Sequence, residues 1–143
     1  MTSDFSRSSK ITYILMLMAI FSSCSTAENV VPTPEIKVFL QDSWNEYLSG
    51  QVLGADNKLF NIAIYGHIDG GWHNLPDKIS PVTQIAENGS WTCQVQLDAN
   101  SSLSKFSIHV LPNGYYPPIL EGASTMPLKI HLVSAAKKTI HLN

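Results

Sequence analysis

Residues 90–97 constrain the fold more than any other part of the chain, because apolar and polar side chains alternate along this segment. The apolar positions are every second residue: Trp91, Cys93, Val95 and Leu97. A period of two is typical of a β-strand with one buried face. The preceding dipeptide, Asn88-Gly89, tolerates the positive φ of a tight hairpin turn. The pattern predicts a strand that follows a turn, buries Trp91 and Cys93, and pairs with residues 81–85.

Other parts of the chain show the same arrangement of short strands separated by turns. Further segments with strand character are residues 36–40, 48–53, 61–68, 106–111, 128–133 and 139–142. Strands at intervals of roughly 8–12 residues favour an antiparallel sandwich or barrel. Residues 119–127 contain Gly122 and Pro127, which limit helix, so this stretch fits a turn of helix or an irregular crossover. The sequence therefore predicts an all-β domain.

The N-terminus has the organisation of an export signal. Arg7 and Lys10 form a short basic region, and an apolar run follows at residues 11–21. That run is shorter than the roughly 20 apolar residues that span a bilayer, and it fits the core of a secretory signal peptide. Residues 21–24 (Phe-Ser-Ser-Cys) resemble the lipobox of bacterial lipoproteins, in which the Cys carries a diacylglycerol and becomes the first residue. The resemblance implies lipidation of Cys24; the alternative is a plain signal peptide that is cut elsewhere.

The resemblance to a lipobox divides the chain into three parts. These are a signal peptide (1–23), a lipidated Cys with a flexible tether (24–35) and a β-sandwich domain (36–143). Pro32 and Pro34 favour extended backbone in the tether. The 120 residues that remain after removal of the first 23 are enough for one domain with its own core. If Cys24 is lipidated, Cys93 is the remaining cysteine, and we expect no intramolecular disulfide.

Composition argues against a nucleic-acid partner. After cleavage the chain would hold seven Lys, no Arg and ten acidic residues, which gives a formal charge of −3 with neutral His. Such a domain lacks the basic surface that neutralises phosphates. The expected partner is a membrane, reached through the lipid anchor alone. Ser25 stands where some lipoproteins carry the Asp that retains them at the inner membrane, so we expect a cell-envelope location at the outer membrane.

No pattern in the chain points to catalysis, a metal or a cofactor. The five histidines lack the compact ligand spacing of zinc sites, and we expect them on solvent-facing or rim positions: His67, His73, His109, His131 and His141. Acidic residues fall mainly in turns, where Asp side chains cap backbone amides. Ser90 opens a predicted strand and does not belong to a nucleophile elbow. We expect a protein that is not an enzyme, with no cofactor.

Aromatic residues in two turn-rich segments are the remaining candidates for a binding site. Trp72 lies in a Gly-rich loop, and Tyr115 and Tyr116 lie in a second loop shaped by Gly and Pro. A flat ring with a polar rim suits sugar binding, because sugar C–H faces stack on the ring while hydroxyls bond to neighbouring polar groups. We expect the two loops to meet at one end of the sandwich and form one ligand-binding rim. The alternative is that Trp72 and one Tyr close the core as lids.

Several motifs, taken in order, resemble a β-rich module of secreted bacterial proteins that is often attached to glycan-degrading enzymes. They lie between residues 48 and 128: Gly70-Gly71-Trp72, Pro76, Pro81-x-Thr83-x-Ile85, residues 88–93 (Asn-Gly-Ser-Trp-Thr-Cys) and residues 111–118 (Leu-Pro-Asn-Gly-Tyr-x-Pro-Pro). The resemblance implies a non-catalytic accessory domain with an Ig-like antiparallel β-sandwich. It transfers no substrate.

Taken together, these features predict a lipid-anchored binding domain in the envelope of a Gram-negative bacterium, with the Bacteroidota as the expected group. The favoured ligand is a glycan or another cell-surface polymer. One alternative is a structural or adaptor lipoprotein that docks on another envelope protein, which a broad apolar patch with an open edge strand would favour. The other is a small hydrolase, which acid pairs across a cleft would favour.

Overall fold

The computed structural model describes residues 32–40 and 46–142. Within these ranges the chain forms eight strands and one short helix. Their bounds are β1 (Glu35–Phe39), β2 (Tyr47–Leu53), β3 (Phe60–Ile68), β4 (Gly71–Leu75), β5 (Ser90–Gln94), β6 (Leu103–Pro112), β7 (Glu121–Ala123), α1 (Leu128–Val133) and β8 (Ala136–His141). Cys24 and the predicted signal peptide lie outside the described residues.

The strands form two antiparallel sheets, with orders β1-β2-β5 and β7-β4-β3-β6-β8. The order β1-β2-β5 facing β4-β3-β6-β8 corresponds to strands A-B-E and C′-C-F-G of an Ig-like sandwich. Strand β7 extends the second sheet beyond β4. The predicted all-β, Ig-like sandwich is confirmed.

The alternating segment has the predicted phase as far as Val95, but strand β5 ends at Gln94 and Leu97 is 38% exposed, so the predicted strand over residues 90–97 is too long. Trp91, Cys93 and Val95 are buried, whereas Thr92 between them is exposed. Burial raises the pKa of the Cys93 thiol to about 11, as expected for a free cysteine in an apolar core. The turn before the strand also forms, with Gly89 at a φ of 81°.

The predicted pairing of this strand with residues 81–85 is wrong. Strand β5 pairs with β2, where Cys93 stands opposite Leu48. Residues 81–85 instead turn to β3, because Thr83 and Ile62 exchange two backbone hydrogen bonds of 2.7 and 3.0 Å. Strand β4 ends at Leu75, opposite Ile64, so the first residues of β3 have a free edge that Thr83 occupies.

The prediction of a strand at residues 128–133 is also wrong, since this segment is helix α1. The inner strand nearest to it, β6, already pairs with β3 on one side and β8 on the other. β6 therefore offers this segment no free edge. As a helix it buries one apolar side chain, Ile130, and leaves Leu128 and Leu132 exposed.

The inner core fills the space between the two sheets. It is built from alternate residues of both inner faces, among them Leu48, Val52, Ile62, Ile64, Leu75, Trp91, Cys93, Phe106, Ile108 and Val110. The period of two visible in the sequence is the direct result of this arrangement. Among the described residues no helix is long and apolar enough to cross a membrane.

The outer face of the five-stranded sheet is covered by the chain between β6 and β8, residues 113–135, which we call the crossover segment. From β6 it reaches the far edge of the sheet, where β7 pairs with β4, and it returns through α1 to β8. A second buried cluster lies between this segment and the sheet, with Ala63, Tyr65, Trp72 and Leu111 from the strands and Leu120 and Ile130 from the crossover segment. The sequence pattern places this side of the sheet in solvent, but the crossover segment buries it.

This covering corrects the expectation for His109. Its side chain is fully buried, and its ring lies between two hydroxyls, Nε2 at 2.9 Å from Ser107 Oγ and Nδ1 at 2.9 Å from Ser134 Oγ. The polar alternation of β6 suggested a solvent-facing side. In the folded protein, those polar groups bond to each other beneath the crossover segment.

Candidate ligand-binding groove

An open groove of about 400 Å³ lies where β3 begins, on the outer side of the five-stranded sheet. Asn61 contributes to its floor, because it shares the outward phase of Ala63 and Tyr65. One wall is residues 79–82, which follow β4, and the other is residues 114–117, the start of the crossover segment. The described residues that line it are Asn61, Ile79, Ser80, Pro81, Val82, Gly114, Tyr115, Tyr116 and Pro117.

The first wall is held by local turn chemistry and by the sheet. Asp77 Oδ1 accepts hydrogen bonds from the backbone N–H of Ile79 at 2.7 Å and of Ser80 at 2.8 Å. A short Asp side chain that bonds two or three residues ahead stabilises a turn. Beyond the turn, Thr83 fixes this wall to β3 through its two bonds with Ile62.

The second wall is held at both of its ends. At its start, the Asn113 N–H donates to Leu59 O at 2.8 Å, and the Tyr115 N–H donates to Pro112 O at 3.1 Å. At its end, Pro118 O accepts from the Tyr65 hydroxyl at 2.9 Å and from Asn74 Nδ2 at 3.1 Å. The wall is therefore built before any ligand arrives, as small-molecule sites usually are.

Two polar atoms of the groove residues are buried and lack a hydrogen-bond partner among the described residues. They are Asn61 Oδ1 and the Tyr115 hydroxyl. Asn61 as a whole is 7% exposed. A buried polar group without a partner costs about 1–3 kcal/mol, so such groups are rare and call for an explanation. Both atoms are sealed from solvent, and Trp91 Nε1 and His131 Nδ1, which lie outside the groove, are in the same state, so a missing partner does not by itself mark a ligand contact.

An exposed aromatic ring completes the site. Tyr116 is 68% exposed at the groove wall, next to half-buried Tyr115. Ile79 stands on the opposite wall and is 85% exposed. The site thus presents an accessible aromatic ring in a groove of uncharged residues, which suits stacking against an apolar ligand face.

Trp72 is not part of this groove. Its ring is 8% exposed and belongs to the buried outer-face cluster, with the ring of His67 at 5.1 Å and Lys105 Nζ at 5.3 Å from the ring centroid. Gly71 and Gly122 allow β7 to lie close to the start of β4, since a Cβ on Gly71 would be 2.6 Å from Gly122 Cα. This close approach covers the tryptophan.

The expectation that both aromatic loops meet at one end of the sandwich is wrong. Pro112, just before Tyr115 and Tyr116, stands opposite Phe60, whereas Trp72 stands opposite His67. The seven residue-to-residue steps from position 60 to position 67 span roughly 23 Å at the rise of a β-strand. The structure brings Tyr115 and Tyr116 together and leaves Trp72 at the opposite end of β3.

Sequence reasoning missed Asn61, although a signal was present. Asn61 is an amide in a strand whose neighbours on the same face are Ala63 and Tyr65. Without the crossover segment that face looks solvent-exposed, and an Asn there needs no explanation. Once the face is known to be covered, the same residue becomes the one whose amide oxygen has no partner.

The Ser107–His109 pair is the other arrangement of side chains that could carry out chemistry, but it is closed to solvent. Burial, together with the nearby charges of His131 and Lys137, lowers the pKa of His109 to about 4. Ser107 and His109 are 3% and 0% exposed, so a substrate cannot reach them. Among the described residues, no group of three or more His, Cys, Asp or Glu side chains has a geometry that holds a metal ion.

Comparison of the chain with protein-family models found no match, and comparisons with curated proteins and with solved structures found none either.

Proposed function

We propose that this protein is a lipid-anchored, non-catalytic binding domain of the bacterial cell envelope, and that it binds a glycan in the groove between residues 79–82 and 114–117. The observation that carries the proposal is the open groove of uncharged residues with the exposed ring of Tyr116 on its wall. A sugar offers an apolar ring face that stacks on such an aromatic ring. The resemblance to accessory modules of glycan-degrading proteins agrees with this proposal.

The test of glycan binding is affinity gel electrophoresis of the domain against a panel of soluble polysaccharides. At least one polysaccharide should retard the wild-type domain. Tyr116→Ala should abolish the retardation, because it removes the stacking surface. Tyr47→Ala is the matched control, since Tyr47 is a second exposed tyrosine (56%) and lies in the other sheet. A panel that retards nothing, or equal loss in both variants, would refute glycan binding in this groove.

We propose that lipidated Cys24 is the membrane anchor and that the protein is sorted to the outer membrane. Cys24→Ala should prevent lipid labelling in cells and release the protein from the membrane fraction. Cys93→Ala is the matched control, because Cys93 is the other cysteine of the chain and is buried in the core. Lipid labelling that survives Cys24→Ala would contradict the proposed lipidation.

Docking on another envelope protein is the second candidate function, and one observation favours it. Leu128 and Leu132 are one helical turn apart on α1 and are 69% and 76% exposed. Residues four apart share a helix face, so the two side chains form an apolar stripe. In-cell cross-linking to an envelope protein that is lost in Leu128→Ser/Leu132→Ser but retained in Tyr116→Ala would favour this candidate over glycan binding.

A further inference from the structure

A row of basic side chains crosses the outer face of the five-stranded sheet at the end opposite the groove. Strand register places His67 of β3 opposite Lys105 of β6, and Lys105 opposite His141 of β8. Side chains that stand directly opposite each other on neighbouring strands have Cβ atoms about 5 Å apart. His67 and Lys105 are half-buried and His141 is exposed. The row therefore combines one permanent positive charge with two imidazoles that can take up a proton.

Two members of the row are held in place by Trp72. Lys105 Nζ lies 5.3 Å from the centroid of the Trp72 ring, and the His67 ring lies 5.1 Å from it in an edge-on arrangement. The face of an indole ring attracts an ammonium group. His67 Nδ1 is 2.9 Å from Ser104 Oγ, which leaves Nε2 for a ligand. Neither Lys105 Nζ nor His67 Nε2 is among the buried, unpartnered atoms of the described residues, so a ligand in solution can reach both.

Two carboxylates stand near the ends of these strands, and both are engaged elsewhere. Asp69 Oδ1 accepts from the Ser102 N–H at 2.9 Å, and Glu121 Oε1 lies 2.6 Å from Lys78 Nζ. The pKa of Asp69 is lowered first by the Ser102 bond and also by the charge of His73, and the pKa of Glu121 is lowered first by Lys78 and also by His73. His73 belongs to the inner side of β4 by the alternation of the strand. Neither carboxylate is therefore committed to the row on the outer face.

The row is electrostatically unfavourable as it stands. Among the described residues, Lys105 has no carboxylate within salt-bridge distance. Like charges directly opposite each other on neighbouring strands destabilise a sheet, and protonation of His67 or His141 would create such pairs with Lys105. The chain as a whole has a formal charge of −2, so the row does not reflect a general excess of basic residues. A bound anion would remove the repulsion.

We infer that this row is a second binding site, which takes a phosphate or sulfate group, with Lys105 Nζ and His67 Nε2 as hydrogen-bond donors and His141 as an additional charge. A group with a charge of −2 matches one ammonium and two protonatable imidazoles better than a carboxylate with a charge of −1 does. The inference goes beyond the proposed function, because the row and the groove lie at opposite ends of β3.

The first experiment titrates sulfate into the full chain carrying Cys24→Ala, followed by ¹H–¹⁵N NMR at pH 5.5 and 7.5. Sulfate keeps its charge over this range, whereas histidine side chains gain charge between pH 8 and 5, so binding should be tighter at pH 5.5. The indole N–H of Trp72 should shift, because the ring lies against both donors. Lys105→Met keeps an aliphatic chain over the ring and should weaken binding about tenfold, the effect of losing one hydrogen bond to a charged group. Lys37→Met, at an exposed position in the other sheet, is the matched control and should bind as the wild type does.

Three results would overturn the inference. They are the absence of sulfate-dependent shifts at pH 5.5, equal affinity at the two pH values, and equal weakening by Lys105→Met and Lys37→Met. His67→Gln covers the case in which Lys105→Met loses stability. It keeps a hydrogen-bonding side chain at position 67 and should make the affinity for sulfate less dependent on pH. A pH dependence equal to that of the wild type would exclude His67 as a donor.

The second experiment identifies what carries the anionic group. Gels with dextran sulfate, and with uncharged dextran as the control, test a polymer; flotation with phosphatidylglycerol vesicles, and with phosphatidylcholine vesicles as the control, tests a lipid head group. Binding to either anionic probe should weaken in Lys105→Met and at high salt, and should be unchanged in Tyr116→Ala. Binding to neither probe, or binding that survives Lys105→Met, would overturn the site. Because Tyr116→Ala affects the groove and Lys105→Met the row, failure of this inference and failure of glycan binding are measured separately.

Discussion

The outer face of the five-stranded sheet has a closed region and an open region, and they treat similar side chains in opposite ways. In the closed region, under residues 118–134, Asn74 and Tyr65 bond to the crossover segment and Trp72 is buried. The open region is the groove. There Asn61 and Tyr115 each have a buried polar atom without a partner among the described residues, and the ring of Tyr116 is exposed. Exposure of the ring, and not residue type, separates a lid from a candidate site, since Trp72 is 8% exposed and Tyr116 is 68% exposed.

The largest expected effect distinguishes Trp72 on β4 from Tyr116 on the groove wall. Trp72→Ala should lower the free energy of unfolding by about 3–5 kcal/mol, because it removes a buried ring from the outer-face cluster. Tyr116→Ala should change it by less than about 0.5 kcal/mol, because the ring is 68% exposed. Urea denaturation of both variants measures the difference. Equal stabilities would break the comparison, since they would mean that Trp72 is no more a part of the core than Tyr116.

The second effect is a pH dependence of the closed region. The pKa of His109 is lowered from 6.5 to about 4, first by burial and then by the charges of His131 and Lys137. Above pH 6.5 the ring is neutral in both states and the stability is complete. Between pH 6.5 and 4 the unfolded chain binds a proton that the native state does not, so the free energy of unfolding should fall by about 3 kcal/mol.

A variant isolates this contribution from the titration of the carboxylates. His109→Gln should show a shallower loss of stability between pH 6.5 and 4 than the wild type does, measured by urea denaturation at several pH values. Affinity for a neutral glycan should stay flat over the part of this range in which the domain is folded, because the groove lining carries no carboxylate, imidazole or ammonium. Identical pH slopes in the two proteins would show that His109 is not held neutral by the closed region.

The inner core was predictable from sequence, and the outer face was not. Trp91, Cys93 and Val95 alternate with polar residues because one face of β5 is buried between the sheets, and period two records that directly. Residues 119–127 gave no such signal. Their partner is a sheet edge distant in sequence, as the contact of Trp72 with Ala123 shows. Because local sequence does not reveal that covering, the pattern places His109 on a solvent-facing side and gives Asn61 no distinguishing feature.

The same reason explains which part of the site was anticipated. Tyr115 and Tyr116 were found because large aromatics in a loop with Gly and Pro are unusual in themselves. Trp72 satisfied that criterion equally well. Its burial depends on the close approach of Gly71 and Gly122, which are 51 positions apart, and on strand register, neither of which local sequence encodes.

The smallest expected effect is the most direct test of hydrogen-bond satisfaction, because it uses one substitution at two tyrosines. Tyr65→Phe removes the hydroxyl that donates to Pro118 O at 2.9 Å, so the free energy of unfolding should fall by about 1 kcal/mol. Tyr115→Phe removes a buried hydroxyl that has no partner among the described residues, so the free energy of unfolding should stay the same or rise. Thermal and urea denaturation of the two single variants measure these changes in the absence of any ligand. A loss of stability in Tyr115→Phe as large as that in Tyr65→Phe would mean that the hydroxyl of Tyr115 is satisfied within the fold, and the distinction between the closed and open regions would fail at that residue.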